Sequence, residues 1–340
     1  MNTNSHERIL IIRNDKLGDF MLAWPAFALI KNACPESTVI ALVPEYTRPM
    51  AELCPWIDEV ICDIQRKNPF FDGIKLASMI RSQTIDVSIS LFSEFRTAFA
   101  LWLARVPVRI APATKIAQIL HNVRISQRRS ESLKPEYEYN LDLAQQFINL
   151  NGDKTDRTTQ PPYLKINDTD TQQRKSNYLS EHGLGQDTKL IIIHPGTGGS
   201  AINLSLEQYT NLASDIATGK KCHFIITAGP AEHQIATKLD NMMHGLDRAI
   251  QLSQDGLVEF TKFITIADLF ISGSTGPLHI AGATNTPTLA FYPYKKSATS
   301  LRWQTLNTSD ARLSYSGDES GMQSIDISRA ANDAIGFLDR

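Results

Sequence analysis

The chain has 340 residues, 42% of them hydrophobic and 21% charged, with 34 Lys+Arg against 36 Asp+Glu. That is enough chain for two domains and a full core, and it excludes a disordered, collagen-like or disulfide-stapled protein. A net charge of −2 argues against bulk nucleic-acid binding, and Cys34, Cys54, Cys62 and Cys222 lack zinc spacing, so they are expected to be reduced small hydrophobes.

Met1–Arg8 is polar and the next apolar run stops at Arg13, so no secretory signal is expected. No uncharged apolar run reaches membrane-spanning length; Leu91–Ala104, the nearest approach, is broken by Glu94 and Arg96. The expectation is a soluble cytoplasmic protein, at most peripheral at the cytoplasmic face of the inner membrane.

Short β-rich runs alternate with longer helical patterns, the rhythm of βαβ units around a parallel sheet. In chain order the predicted elements are strand Ile9–Ile12, a helix from Asp19 to Ala33, strand Val39–Val43, a weak strand Val60–Cys62 and helix Ile74–Ser82. Strand Ile85–Leu91, helix Phe95–Ala104, strand Val106–Ala111 and helix Glu136–Leu150 complete the first half. Asn151–Pro162 is polar, ends in two prolines and reads as a linker; a short strand is expected at Tyr163–Ile166.

The second half opens with helix Thr171–His182, stopped by Gly183 and Gly185, and then strand Lys189–His194. Helix Leu206–Ala217, strand Cys222–Thr227, helix Ala231–Met243, strand Ala249–Leu252 and helix Leu257–Thr265 follow. The series closes with strand Leu269–Ser272, helix Pro277–Ala283, strand Thr288–Phe291 and a tail helix Ser324–Phe337. The fold class is therefore α/β, with two Rossmann-like domains of parallel sheet facing a cleft. The expected boundaries are 1–165 and 166–323 for the two domains, and 324–340 for a terminal helix packing back on the first domain.

Ligands in such sheets sit beyond the carboxyl ends of the strands, so the strand-to-helix turns carry the functional reading. The first is Arg13-Asn14-Asp15-Lys16-Leu17-Gly18-Asp19. Asp19 is either a helix N-cap or a general base, and Asp15 competes for the second role. A nearby helix N-terminus would lower its pKa and keep it ionised. The second turn, His194–Ser200, sets Gly198 and Gly199 beside Thr197 and Ser200, a natural anion cradle or an ordinary flexible loop. The third, Ser272–His279, presents Ser274, Thr275 and Gly276 ahead of Pro277 and opens a helix whose amides suit a phosphate. His279 in its first turn is by itself more often a packed residue. In the turn after Cys222–Thr227, Glu232 either accepts bonds from a ribose diol or favours a helix N-terminus.

Residues Arg105 to Lys134 hold seven Lys+Arg and one acid, Glu131. That is a solvated face, or a site for an anionic acceptor or membrane surface; Lys115, Arg124, Arg128 and Arg129, with Lys16, are the acceptor candidates. Asp168-Thr169-Asp170 lies in a polar connection rather than after a strand, so no metal site is expected there, and no cofactor beyond the donor substrate is expected anywhere.

These turns together resemble glycosyltransferase family 9, the ADP-heptose:lipopolysaccharide heptosyltransferases. The resemblance rests on Ile9–Pro35 (ILIIRNDKLGDFMLAWPAFALIKNACP), Pro55–Ile61, Ile191–Gly199 (IIIHPGTGG) and Ala267–Tyr292 (ADLFISGSTGPLHIAGATNTPTLAFY). It implies a GT-B fold and metal-independent, inverting transfer of heptose from ADP-heptose to a lipopolysaccharide core. It also implies Asp19 as the base, phosphate contacts near Thr197, ribose contact at Glu232 and donor contacts at Thr275–His279. Two positions depart from the family pattern. Ser274 stands where members carry Asp, and residues 200–204 lack the family's lysine. A family relative using another nucleotide sugar or acceptor, and a non-catalytic nucleotide-sugar-binding homologue, are the competing readings.

Overall fold

Apolar runs such as Ile9–Ile12 and Leu190–Ile193 are fully buried, as strands covered on both faces by helices must be. The computed structural model describes residues 6–63, 69–152, 159–199 and 201–340, which fall into two units, Met1–Thr159 and Gln160–Arg340. Residues 153–158, half of the expected linker, lie outside the described residues.

The first unit runs β1 (Arg8–Ile12), α1 (Leu17–Met21), α2 (Trp24–Ala33), β2 (Thr38–Pro44), α3 (Arg48–Leu53), β3 (Glu59–Asp63) and α4 (Pro69–Ser82). It continues with β4 (Val87–Ser90), α5 (Phe95–Leu103), β5 (Val108–Pro112), β6 (Val123–Ile125) and α6 (Glu136–Leu150). The second runs α7 (Asp168–Glu181), β7 (Lys189–His194), α8 (Leu206–Gly219), β8 (Cys222–Ala228), α9 (His233–Met242) and β9 (Arg248–Leu252). Then come α10 (Gly256–Ile264), β10 (Leu269–Gly273), α11 (Gly276–Ala283), β11 (Thr288–Tyr292), β12 (Arg312–Ser316) and α12 (Ile327–Leu338).

Each unit builds a six-stranded sheet, in the orders β3-β2-β1-β4-β5-β6 and β12-β11-β10-β7-β8-β9. All named pairings are parallel. Counted from its own first strand, the second sheet repeats the order of the first. The order reverses between β1 and β4, and between β7 and β10, and that switch point is where a ligand finds a crevice at the strands' carboxyl ends. The registers align the two turns at each switch: Ile12 pairs with Ser90 and His194 with Ser272.

Three expectations are corrected. The helix from Asp19 to Ala33 is two helices, because Pro25 at the start of α2 has no N–H and its ring would collide with a carbonyl one turn back. Tyr163–Ile166 is not a strand; Tyr163 and Leu164 donate their amides to the Ala283 carbonyl at the end of α11. Strands β6 and β12 were not expected; both lie at sheet edges and are short and only partly buried. The tail helix α12 buries Ala330, Ala331, Ala334 and Leu338 in the core of the second unit, with α8 residues such as Tyr209 and Leu212.

Candidate active site

The turn after β1 is built around a buried arginine. Arg13 is 3% exposed and donates through Nε to Asp15 (2.9 Å) and through Nη1 to Glu136 (3.0 Å) and Asn140 (3.3 Å). Its Nη2 donates to Oδ1 of Asp19. Burial works against the guanidinium's charge, but Asp15, Asp19 and Glu136 outweigh it and raise its pKa. Glu136, at the start of α6 and 1% exposed, also accepts from Arg129 at 2.7 Å, and Arg129 donates to the Leu91 carbonyl after β4 at 3.0 Å. Both switch-point turns of the first sheet are thus tied into one charged network.

Asp19 is not a cap: Lys16 is the N-cap of α1 and makes no side-chain cap bond. Nor does the helix terminus dominate its ionisation. Burial pushes its carboxyl up to about 6, and the negative charges of Asp15 and Glu136 add to that, against the opposing pull of Arg13. The expectation of a depressed pKa is therefore corrected, because removing water from a carboxylate outweighs one helix turn. Among the described residues no hydrogen bond engages its Oδ2. A carboxylate tuned to near neutrality with one free oxygen is suited to take a proton.

Behind this turn Asn14 is fixed by a second network. It donates to Asp63 at the end of β3 (2.6 Å) and to Thr97 on α5 (3.3 Å), while Arg96 grips the same Asp63 through both guanidinium nitrogens.

In the second unit Glu232 is the organising residue. Its Oε1 accepts from the Gly198 amide at 2.7 Å and its Oε2 from Gly229 at 3.3 Å, with His194 Nε2 3.5 Å away. The bond to His194, then those to the two amides, hold its carboxyl down at about 2 against the effect of burial. It is ionised at any working pH and links the turns after β7 and β8. His194 Nδ1 in turn meets Thr227 Oγ1 at 3.0 Å. Gly196 is required here: a Cβ on it would lie 2.2 Å from the Glu232 carboxyl carbon. Gly196→Ala is expected to evict Glu232 from the loop and to cost about 1–3 kcal/mol, read as a fall in the denaturant midpoint. An unchanged midpoint would mean the loop shifts freely.

The turn after β10 is packed from within. Ser272 donates to the His194 carbonyl at 2.9 Å and meets Thr275 at 3.1 Å, so the Thr275 hydroxyl is turned into the fold. Thr275 is the N-cap of α11 without a side-chain cap bond, which leaves the helix start open to a ligand. Ser274 and Gly276 are partly exposed on this turn. His279 is 2% exposed, its Nδ1 has no partner among the described residues, and burial alone pushes its pKa down to about 4, so it is a neutral imidazole. Asn203 braces the loop between β7 and α8: its Nδ2 donates to the Pro195 carbonyl at 3.0 Å and its Oδ1 accepts from Tyr209 on α8 at 2.6 Å. A cavity of about 160 Å³ opens beyond β9, lined by Gln251, Ser253, Gly256 and Phe260 among others.

The structure thus brings Thr197, Gly198, Gly199 and Glu232 together, and Ser274, Thr275, Gly276 and His279 on the adjoining turn; Ser200 lies outside the described residues. The basic candidates do not form one site. Arg129 joins the Arg13 network, whereas Lys16, Lys115, Arg124 and Arg128 are exposed, Arg128 lying 3.7 Å from Glu131. Arg13, Asn140, Glu136 and Asn203 were missed. The first three meet across more than 120 residues of sequence, which no local pattern reveals. Among the described residues no group of three or more His, Cys, Asp or Glu could hold a metal ion. Asp168 and Asp170 sit in the first turn of α7, where acidic side chains favour the helix.

Comparison with known proteins identifies the family. The family model for glycosyltransferase family 9 (heptosyltransferase) matches residues 74–322. A Haemophilus influenzae protein named only as a glycosyltransferase is 43% identical over 319 residues, covering 93% of this chain and 92% of the relative. Among solved structures, a glycosyl transferase family 9 protein of Veillonella parvula superposes with a TM-score of 0.81 at 17% identity, over 98% of this chain and 97% of that one. The ADP-heptose lipopolysaccharide heptosyltransferase II of E. coli gives 0.74 at 18% identity, over 97% and 98%.

Proposed function

The chain belongs to glycosyltransferase family 9 and is a glycosyltransferase with the GT-B-like architecture of two six-stranded parallel sheets, and we propose that it transfers heptose from ADP-heptose to a lipopolysaccharide core acceptor with inversion. The observation that carries the mechanism is the Asp19 carboxyl, raised to about 6 and held by Arg13 through one oxygen only.

In this reading Asp19 takes the proton from the acceptor hydroxyl as that oxygen attacks the anomeric carbon and the sugar–phosphate bond breaks. Arg13 keeps the carboxylate oriented. The leaving ADP collects negative charge on its diphosphate. Thr197 and the open start of α11 with Ser274 supply donors to that charge, while the Gly198 and Gly199 amides, engaged by Glu232 and Thr197, shape the turn that presents them. The cavity beyond β9 suits the nucleobase, and Glu232 accepts from the ribose diol. The acceptor is an anionic glycan, met by Lys16 and the exposed cations of the first unit, and the enzyme works in the cytoplasm.

Ser274 and the lysine-free stretch 200–204 support a second reading in the same class, a different nucleotide sugar, because an aspartate and a cation that would contact the donor are absent. Thermal stabilisation by a panel of nucleotide diphosphates and their sugars separates the two. The first reading expects ADP and ADP-heptose to raise the melting temperature selectively, by about 3 kcal/mol of stabilisation at a hundredfold excess over Kd. A selective response to UDP, GDP or CDP compounds would replace the donor, and no response to any would remove the donor assignment altogether.

A further inference from the structure

The first unit carries an exposed aromatic ladder. Phe99 on α5 is its hub, with ring centroids 6.0 Å from Phe70 on α4, 6.4 Å from Phe95 and 6.0 Å from Trp102. Phe71 adds a ring 5.9 Å from Phe70. Phe70, Phe71, Phe95 and Trp102 are each at least half exposed. The 3-10 turn Ile116–Leu120 packs against α5 and extends the patch with Ile116 and Ile119, exposed by 70% and 65%. Isolated exposed apolar residues are ordinary, but contiguous ring surface of roughly 500 Å² is at the upper end of what monomers show and marks a contact surface.

The charge around the patch selects the partner. Residues 95–130 hold seven lysines and arginines; Arg96 pairs with Asp63 and Glu94, Arg128 lies 3.7 Å from Glu131 and Arg129 pairs with Glu136, whereas Arg105, Lys115 and Arg124 are exposed with no ion pair to an acid among the described residues. Lys75 is exposed on α4, whose one acid, Asp72, is buried. A second copy of this face would set like charges against each other across a two-fold interface. Single-stranded nucleic acid stacks on rings, but Ile116 and Ile119 offer it nothing to stack on. An anionic bilayer satisfies both features: basic side chains meet the headgroups while rings and aliphatic tips enter the acyl boundary. Among the described residues no helix is long and apolar enough to cross a membrane, so the contact is peripheral.

We propose that the α4–α5 aromatic ladder, with Ile116 and Ile119 and their cationic surround, is the surface by which this protein docks on an anionic phospholipid bilayer. It deepens the reading above, in which the acceptor is a lipopolysaccharide core, but binding is measurable without donor, acceptor or turnover.

The test is flotation of the full chain with phosphatidylglycerol/phosphatidylethanolamine vesicles and with phosphatidylcholine vesicles. Binding is expected to the anionic vesicles, with at least a tenfold fall in the partition coefficient between 0.05 and 0.5 M salt. Phe71→Ser/Trp102→Ser is expected to lower it by about a hundredfold, since each lost ring withdraws a large apolar contact. As a readout independent of that variant's folding, vesicles brominated on their acyl chains should quench tryptophan emission, and Trp102→Phe should abolish the quenching while retaining binding. No vesicle binding, salt-insensitive binding, quenching that survives Trp102→Phe, or a patch that instead mediates dimers or captures single-stranded oligonucleotide would each overturn the proposal. Those results would leave donor stabilisation and transfer to a delipidated acceptor untouched, so the two readings fail separately.

Discussion

Replacing Asp19 with asparagine is expected to lower kcat by about a thousandfold while leaving ADP-induced stabilisation within about twofold of the parent, because the change removes a proton acceptor and not a donor contact. The parent should show the group in its pH profile. With the Asp19 carboxyl pushed up to about 6, kcat/KM is expected to fall on the acid side of that value, and at pH 5 only about a tenth of the carboxyl is ionised. The asparagine variant should lose that limb. A variant with near-parental turnover, or a parent whose activity is flat from pH 5 to 8, would remove Asp19 from the role.

The same shift has a consequence for stability, with a definite sign. Asp19 holds its proton in the native state up to about pH 6, whereas in the unfolded chain it has already lost it near the ordinary aspartate value. Its favourable contribution is therefore complete below that ordinary value and is lost as pH rises through 6. Asparagine escapes the loss. Asp19→Asn should thus be more stable than the parent at pH 7.5, by on the order of 1–3 kcal/mol, with the gain shrinking as pH falls towards 4. A less active, more stable variant is the signature of a group placed for function.

The sequence made the sheets legible because a strand buried on both faces leaves an apolar run bounded by turn residues. Lys189–His194 and Leu269–Gly273 are of this kind. The candidate site was legible as far as it is local. Asp19 lies in the first turn of the helix that follows β1, Gly198 and Thr275 lie in turns directly after a strand, and a parallel sheet sends those strand ends to one edge. Illegible features were those made by tertiary meeting. Glu136 reads as an ordinary acid opening a helix, yet it is buried between two arginines. The aromatic ladder draws on α4 and α5, helices separated by a strand, so neither segment betrays it. Strand β12 escaped because an edge strand, partly exposed, lacks the apolar run that marks its neighbours. Asp19's ionisation was misjudged for a related reason: a helix terminus is visible in sequence, while the water excluded by α6 and its partners is not.

Arg13→Met is expected to be the most damaging single change in the first unit. Arg13 is the cation that Asp15, Asp19 and Glu136 share. Glu136 would keep Arg129 at 2.7 Å, but Asp15 and Asp19 would lose the charge that offsets their burial. Breaking a buried pair from one side leaves an uncompensated charge and costs about 3–5 kcal/mol, read as a large drop in the urea midpoint. Arg13→Lys should recover only part of this, since one ammonium cannot reach three carboxylates that a guanidinium fork spans. Both variants should move the acid limb of kcat/KM above 6, because the charge that lowers Asp19's pKa has been removed or displaced. Adding Glu136→Gln to Arg13→Met separates electrostatics from packing. If the network is held by charge, the double variant is more stable than the sum of the two single losses predicts, by at least about 1 kcal/mol. Additive losses would show instead that Arg13 acts by filling space, and that Asp19 owes its pKa to burial alone.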